Sequence, residues 1–204
     1  MPSYKVVYFN SRGRAEAIRL ILAHAGKAFE DVRYTREEWA KHKAGAPQSQ
    51  LPYLEVDGKV IPQSRAIHGY LARDFGLNGA NNEETTKIDI VIATLDDLTL
   101  PLVKIFFEEK DEAKKKELIA TFHAETVPRF LAPLEQILKE NKGGNGFFVG
   151  SKISRADIYF FSVAEIFKQG DVFKNYPKLA ALKDRVAKDP KIAAYLAKRP
   201  ETEF

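Results

Sequence analysis

A chain of 204 residues, 45% hydrophobic and 29% charged, can bury the core of one large domain or two small ones. It contains no cysteine, which excludes disulfides, thiolate metal sites and a protein thiol nucleophile. Its 32 basic residues against 28 acidic ones leave a net charge of only +4, too balanced for a nucleic-acid surface, and no apolar run approaches the ~20 residues of a membrane span.

The first 75 or so residues alternate in type. The spacing predicts a strand over Tyr4–Phe9, a helix over Arg14–Ala25, a strand over Phe29–Tyr34 and a helix over Glu37–Lys43. Two short strands follow, Tyr53–Val56 and Lys59–Pro62, with Asp57-Gly58 between them as a hairpin turn. A helix over Ser64–Phe75 closes the segment. The glycine- and asparagine-rich stretch from Gly76 to Asn82 has no periodicity and reads as a linker.

Beyond it the pattern is helical: Glu83 to about Glu109, Glu112–Asn141, Ser154–Lys168, Pro177–Ala187 and Pro190–Lys198. The basic run Lys114-Lys115-Lys116, flanked by Glu112 and Glu117, is a solvated helix face. Ser154 and Asp157 have the spacing of a capping box, with Ile153 and Ile158 as a hydrophobic staple, so this pair serves folding. The organisation expected is α/β plus all-α: a mixed α/β domain over 1–76, a linker over 77–82 and an all-helical domain over 83–204.

Chemistry-bearing residues concentrate in the first domain. Strand Tyr4–Phe9 turns through Asn10-Ser11-Arg12-Gly13-Arg14 into a helix, but Gly13 stands alone and no dinucleotide fingerprint is present. Arg12 and Arg14 suit an anion or a polarised group, and Tyr8 sits where the strand ends. Pro52 has no N–H for a ladder and marks a strand start or an edge. Ser64 is placed as the N-cap of the helix it begins, an end that attracts carboxylates. Trp39 and Lys43, four apart, share one face of a short helix. His24, His42, His68 and His123 are too scattered for a metal site, and Asp96-Asp97 makes a poor one alone, so no metal is expected.

Together these pieces resemble a cytosolic glutathione transferase of the sigma class. The resemblance rests on YFNSRGRAE at Tyr8–Glu16, Trp39 with Lys43, QLPYLEVDG at Gln50–Gly58, QSRAI at Gln63–Ile67, TLDD at Thr94–Asp97, FFVGSKISRADIYF at Phe147–Phe160 and PKIAAYLAKRP at Pro190–Pro200. It implies a thioredoxin-like N-terminal domain, ordered βαβαββα with a mixed four-stranded sheet and Pro52 cis, joined to an all-helical domain. It further implies a cytoplasmic homodimer that uses glutathione as co-substrate and partners neither nucleic acid nor membrane.

By the same resemblance Trp39, Lys43 and Gln50 hold the glycine end of glutathione, and the Leu51 backbone beside Pro52 pairs with its cysteinyl unit. Gln63 and Ser64 hold the γ-glutamyl end, and the partner subunit's Asp97 meets its amine. Tyr8 donates to the sulfur and Arg14 braces the turn beside it. Small hydrophobic electrophiles would meet Phe9, Arg12 and Lys104. The family also contains glutathione-dependent prostaglandin-H2 D-isomerases and weakly active lens crystallins. Ala93, where the isomerising branch carries a third acid, and Lys104, where it carries an aromatic residue, depart from that branch.

Overall fold

The computed structural model describes residues 2–167 and 172–202; Lys168, the expected end of one helix, lies outside them. In chain order the elements are β1 (Tyr4–Phe9), α1 (Glu16–His24), β2 (Glu30–Tyr34), α2 (Arg36–His42), β3 (Tyr53–Val56), β4 (Lys59–Pro62) and α3 (Ser64–Asp74). Then come α4 (Asn82–Phe107), α5 (Glu112–Thr121), α6 (Val127–Glu140), α7 (Arg155–Ala164), α8 (Pro177–Ala187) and α9 (Pro190–Leu196). They form two compact units, one of Met1–Asn78 with Ala187–Phe204 and the other of Gly79–Val186.

In the first unit the sheet runs β2-β1-β3-β4. β1 is parallel to β2 and antiparallel to β3, which is antiparallel to β4. This is the mixed four-stranded arrangement the resemblance implies. Asp57 and Gly58 both take positive φ, +49° and +82°, as the tightest hairpin turn requires. Val6 and Leu54 of the sheet, Ile18, Leu20 and Leu22 of α1, and Ile67 and Leu71 of α3 are fully buried and make the core.

The tail differs from expectation. Residues from Ala187 on, grouped by their helical pattern with the all-helical domain, belong to the first unit, and α9 packs on α1. Helical periodicity says which face of α9 is apolar, and nothing about which partner receives it.

The second unit is built on α4, with α6 and α7 against it. Asn81 and Asn82, read as linker, start this helix: the Asn81 side chain accepts from the Glu84 N–H at 2.9 Å and caps it. The expected single helix over 112–141 is two, α5 and α6, joined by one widened turn at Phe122–Thr126. Pro128, just inside α6, has no N–H to return to the preceding turn, and Val127 bonds back to Phe122 instead. The Ser154–Asp157 capping box is present and buried; the Asp157 carboxylate accepts from the Ser154 N–H at 2.7 Å and hydroxyl at 2.6 Å. It also accepts from the Phe148 N–H at 2.8 Å, a tie that spacing does not reveal.

Candidate active site

Tyr8 is the penultimate residue of β1 and stands opposite Arg33 of β2. Past Phe9 the chain doubles back, with the Ser11 N–H on the Phe9 carbonyl at 2.7 Å, and Gly13 takes φ +38°. A short tight turn at Gly13–Ala15 then feeds α1. This geometry brings the Arg14 backbone N–H to the Tyr8 hydroxyl at 3.3 Å. The contact from position 14 to Tyr8 is made by the main chain. A Cβ at position 13 would stand 2.8 Å from the Tyr8 hydroxyl oxygen and 2.9 Å from its ring, so only glycine fits.

The Tyr8 oxygen accepts from Arg14 and keeps its own proton to donate. Burial pushes the phenol above its ordinary value of 10.0, while the Arg14 N–H and the charges of Arg14 and Arg19 pull it down. At neutral pH Tyr8 is a neutral hydroxyl, already polarised by one accepted bond.

Aromatic rings line the approach from β1 to α2. Tyr8 and Phe9 meet edge to face at 5.5 Å, and Phe9 meets Trp39 the same way at 6.1 Å. Trp39 also stacks on Tyr34, and Tyr34 on His42 at 4.7 Å. A capping box starts the short α2: Thr35 Oγ1 accepts from the Glu38 N–H, and the Glu38 carboxylate accepts from the Thr35 N–H. Lys43 is the residue after α2, exposed, with its N–H on the Trp39 carbonyl.

From Lys43 two tight turns lead to Gln50 and to the Leu51–Pro52 peptide, which is cis. Three non-glycine residues near it hold positive φ: Gln48 at +54°, Ser49 at +50° and Gln63 at +71°. Gln63 Nε2 donates to the side-chain oxygen of Gln48 at 2.6 Å and lies 3.4 Å from that of Gln50. So Gln63, expected at the γ-glutamyl end of glutathione, lies beside Gln50, expected at its glycine end, and bonds Gln48. The structure corrects the reading of Ser64. That residue is the first turn of α3 itself; the cap position belongs to Gln63, whose side chain makes no capping bond. The positive end of α3 is therefore left without a side-chain acceptor of its own.

Asp97 and Lys104 belong to the second unit, both exposed on α4. Pro101 lies between them and has no N–H for the Asp97 carbonyl one turn back. Neighbouring Asp96 accepts from the Tyr159 hydroxyl. Among the described residues no three His, Asp or Glu side chains gather as a metal site. One residue the sequence reading missed is Arg19, which looks like the polar edge of an amphipathic helix but is fully buried. Its guanidinium donates to the Ser11 carbonyl at 2.7 Å and to Asp31 at 2.9 Å, underneath the turn that carries Gly13. A lone arginine inside an otherwise apolar helical face, in AIRLIL, was the available signal.

Two family models match the chain. Residues 4–73 match the glutathione S-transferase N-terminal domain and residues 96–199 the glutathione S-transferase C-terminal domain. Among curated proteins the chain is 44% identical to S-crystallin SL11 of Nototodarus sloanii and 39% identical to a glutathione S-transferase of Anopheles gambiae, covering 100% of each chain in both cases. Among solved structures it resembles the prostaglandin synthase D of Nilaparvata lugens at 40% identity and a TM-score of 0.90, over 98% of this chain and 100% of that one.

Proposed function

Because the chain belongs to the glutathione S-transferase family, we propose that it conjugates the thiolate of glutathione to small hydrophobic electrophiles, with Tyr8 as the catalytic residue. The observation that carries the reading is the Tyr8 hydroxyl, protonated by burial and already accepting from the Arg14 N–H. Such a group is ready to donate its hydrogen to a sulfur anion.

The energetics suit one donor. A free thiol with a pKa of about 8.5 is roughly 3% ionised at pH 7, and bringing its pKa to 7 requires about 2 kcal/mol. One hydrogen bond to a charged group supplies about 1.5–3 kcal/mol. The protein activates a nucleophile that the co-substrate brings, which is how a chain without cysteine performs thiol chemistry. The thiolate attacks the electrophilic carbon, and the leaving group departs with the bonding pair or, in an addition, the adduct takes up a proton.

Glutathione is held, in this reading, along the first unit. Trp39, Lys43 and Gln50 take its glycine carboxylate, and the Leu51 backbone beside Pro52 takes the cysteinyl amide. Gln63 and Ser64 take the γ-glutamyl carboxylate, which the uncapped end of α3 favours. Phe9 and Arg12, on that unit, meet the electrophile. We further propose a sigma-class enzyme that works as a cytoplasmic homodimer in detoxification, with the partner's Asp97 on the glutathione amine. Ile90, Asp97 and Leu100 share one stripe of α4, and the two apolar members are about half exposed, which supports a dimer surface there.

Likeness to the Nilaparvata lugens protein favours prostaglandin endoperoxide isomerisation as a second reading, with the same thiolate attacking oxygen. Rapid formation of one isomer from the endoperoxide would establish it in place of plain detoxification. The primary test is Tyr8→Phe. Glutathione affinity is expected to hold while turnover on an aryl halide falls ten- to a hundred-fold, about 1.4–2.7 kcal/mol. Wild-type turnover in that variant sinks the mechanism. A wild-type protein that binds glutathione without forming thiolate below the free thiol's pKa is a crystallin-like relative instead.

A further inference from the structure

Resting on that reading of Tyr8, we infer that Tyr195 and Arg199, in the tail of the chain, are positioning residues for the catalytic turn. They hold Glu16, Glu16 holds Arg19, and Arg19 holds the turn that presents the Arg14 N–H to Tyr8.

The chain of contacts is continuous within the first unit. Glu16 is 1% exposed and Arg19 0%. Arg199 Nη1 donates to Glu16 Oε1 at 2.8 Å, and the Tyr195 hydroxyl lies 3.3 Å from both carboxylate oxygens. Glu16 Oε2 is 3.4 Å from Arg19 Nη1, the same nitrogen that donates to the Ser11 carbonyl at 2.7 Å and stands 3.5 Å from that of Arg12. Two residues after Arg12, the Arg14 N–H donates to Tyr8.

A carboxylate this deeply buried is tolerated only while its cationic and hydroxyl partners are in place. Remove Arg199, and Glu16 either draws Arg19 towards itself and off the Ser11 carbonyl, or admits water beneath the turn. Both loosen the backbone that aims the Arg14 N–H. The same change alters the local field. Arg19, Arg33 and Arg199 set three guanidinium groups against the carboxylates of Glu16 and Asp31, with Arg33 on Asp31 at 2.7 Å. Losing Arg199 leaves Glu16 to offset the Arg19 charge, which favours an anion at the Tyr8 hydroxyl. The Arg19 charge already acts on the Tyr8 phenol. Burial and Glu16 hold the Tyr195 phenol well above its ordinary range, so it remains a donor at working pH.

The experiment uses the full chain as wild type, Arg199→Ala, Arg199→Lys and Tyr195→Phe, with two readouts. Amide hydrogen exchange at residues 11–14 reports the turn, and the midpoint of thiolate absorbance with bound glutathione reports its consequence. In Arg199→Ala we expect exchange at the turn to accelerate about tenfold while the α3 and α4 amides keep wild-type rates. The thiolate midpoint is expected to rise by about half a pH unit. Arg199→Lys should restore most of both.

Wild-type exchange at the turn in Arg199→Ala, or acceleration spread evenly over the unit, overturns the inference and leaves Arg199 merely structural. If Arg199→Ala does not fold, Tyr195→Phe removes a single oxygen and carries the same test. Failure of the Tyr8 reading is seen separately, as a wild-type midpoint no lower than that of free glutathione. The exchange result then still decides whether the tail holds the turn.

Discussion

Gly13→Ala places one methyl group against the catalytic hydroxyl. The added carbon would lie 2.8 Å from the Tyr8 oxygen and 2.9 Å from a ring carbon. Ordinary contact needs about 3.5 Å, so the ring must retreat by ~0.7 Å or the turn must open by as much. Either movement lengthens the bond from the Arg14 N–H, already 3.3 Å, beyond useful range. It also shifts the Tyr8 proton relative to the sulfur by most of the tolerance of a hydrogen bond. Losing the greater part of a charge-assisted bond of about 1.5–3 kcal/mol lowers turnover roughly ten- to a hundred-fold. The left-handed backbone at φ +38° adds about 1–2 kcal/mol of strain for alanine, seen in thermal melts. Steady-state kinetics with an aryl halide separates the effects: kcat falls and KM for glutathione stays within about twofold. Gly76→Ala is the control, with φ +69° but no atom within 4 Å of its Cβ, so it carries the backbone strain alone. Equal kcat in Gly13→Ala and Gly76→Ala would refute the argument that the glycine exists to seat Tyr8.

Burial pushes the Asp157 carboxyl from 3.8 up to about 6, against its three donors. Between about pH 4 and 6 the folded protein retains a proton that the unfolded chain has released. This group therefore makes stability fall as pH rises through that window, by up to about 3 kcal/mol. Asp157→Asn should flatten that slope in urea melts from pH 4 to 8, because an amide carries no titrating proton. A variant that keeps the wild-type slope contradicts the assignment. Gln63→Gly releases a side chain held at φ +71° and should stabilise the protein by about 1 kcal/mol while raising KM for glutathione tenfold or more. An unchanged KM would remove Gln63 from the binding site.

The fold was legible where periodicity decides it. Strands β1, β3 and β4 and helix α8 have the limits that strand and helix patterning predict. What sequence could not show is which element receives that face. Hence the tail, helical by pattern, was grouped with its neighbours in the chain, and although Arg19 stood out in AIRLIL, nothing tied its partner Glu16 to Arg199. At the site, Tyr8 and Gly13 were visible as a strand end and a turn, but their close approach depends on a backbone angle. Ser64 was misplaced by one residue because a serine before a helical run is normally the cap. Here Gln63 occupies the cap position at a φ that a polar side chain rarely adopts.

Residues far apart in the chain, Met1–Asn78 and Ala187–Phe204, share one unit, and this orders events during synthesis. The sheet and Tyr8 leave the ribosome first, yet Glu16 has no Arg199 or Tyr195 to pair with until the helices between them have been made. The intervening helices take on the order of ten seconds to translate. Through that interval Glu16 has Arg19 to pair with, the longer of its two described ion pairs, and lacks the shorter one from Arg199. A chain that stops before residue 195 therefore lacks the bonds that Glu16 receives from Tyr195 and Arg199 in the folded unit.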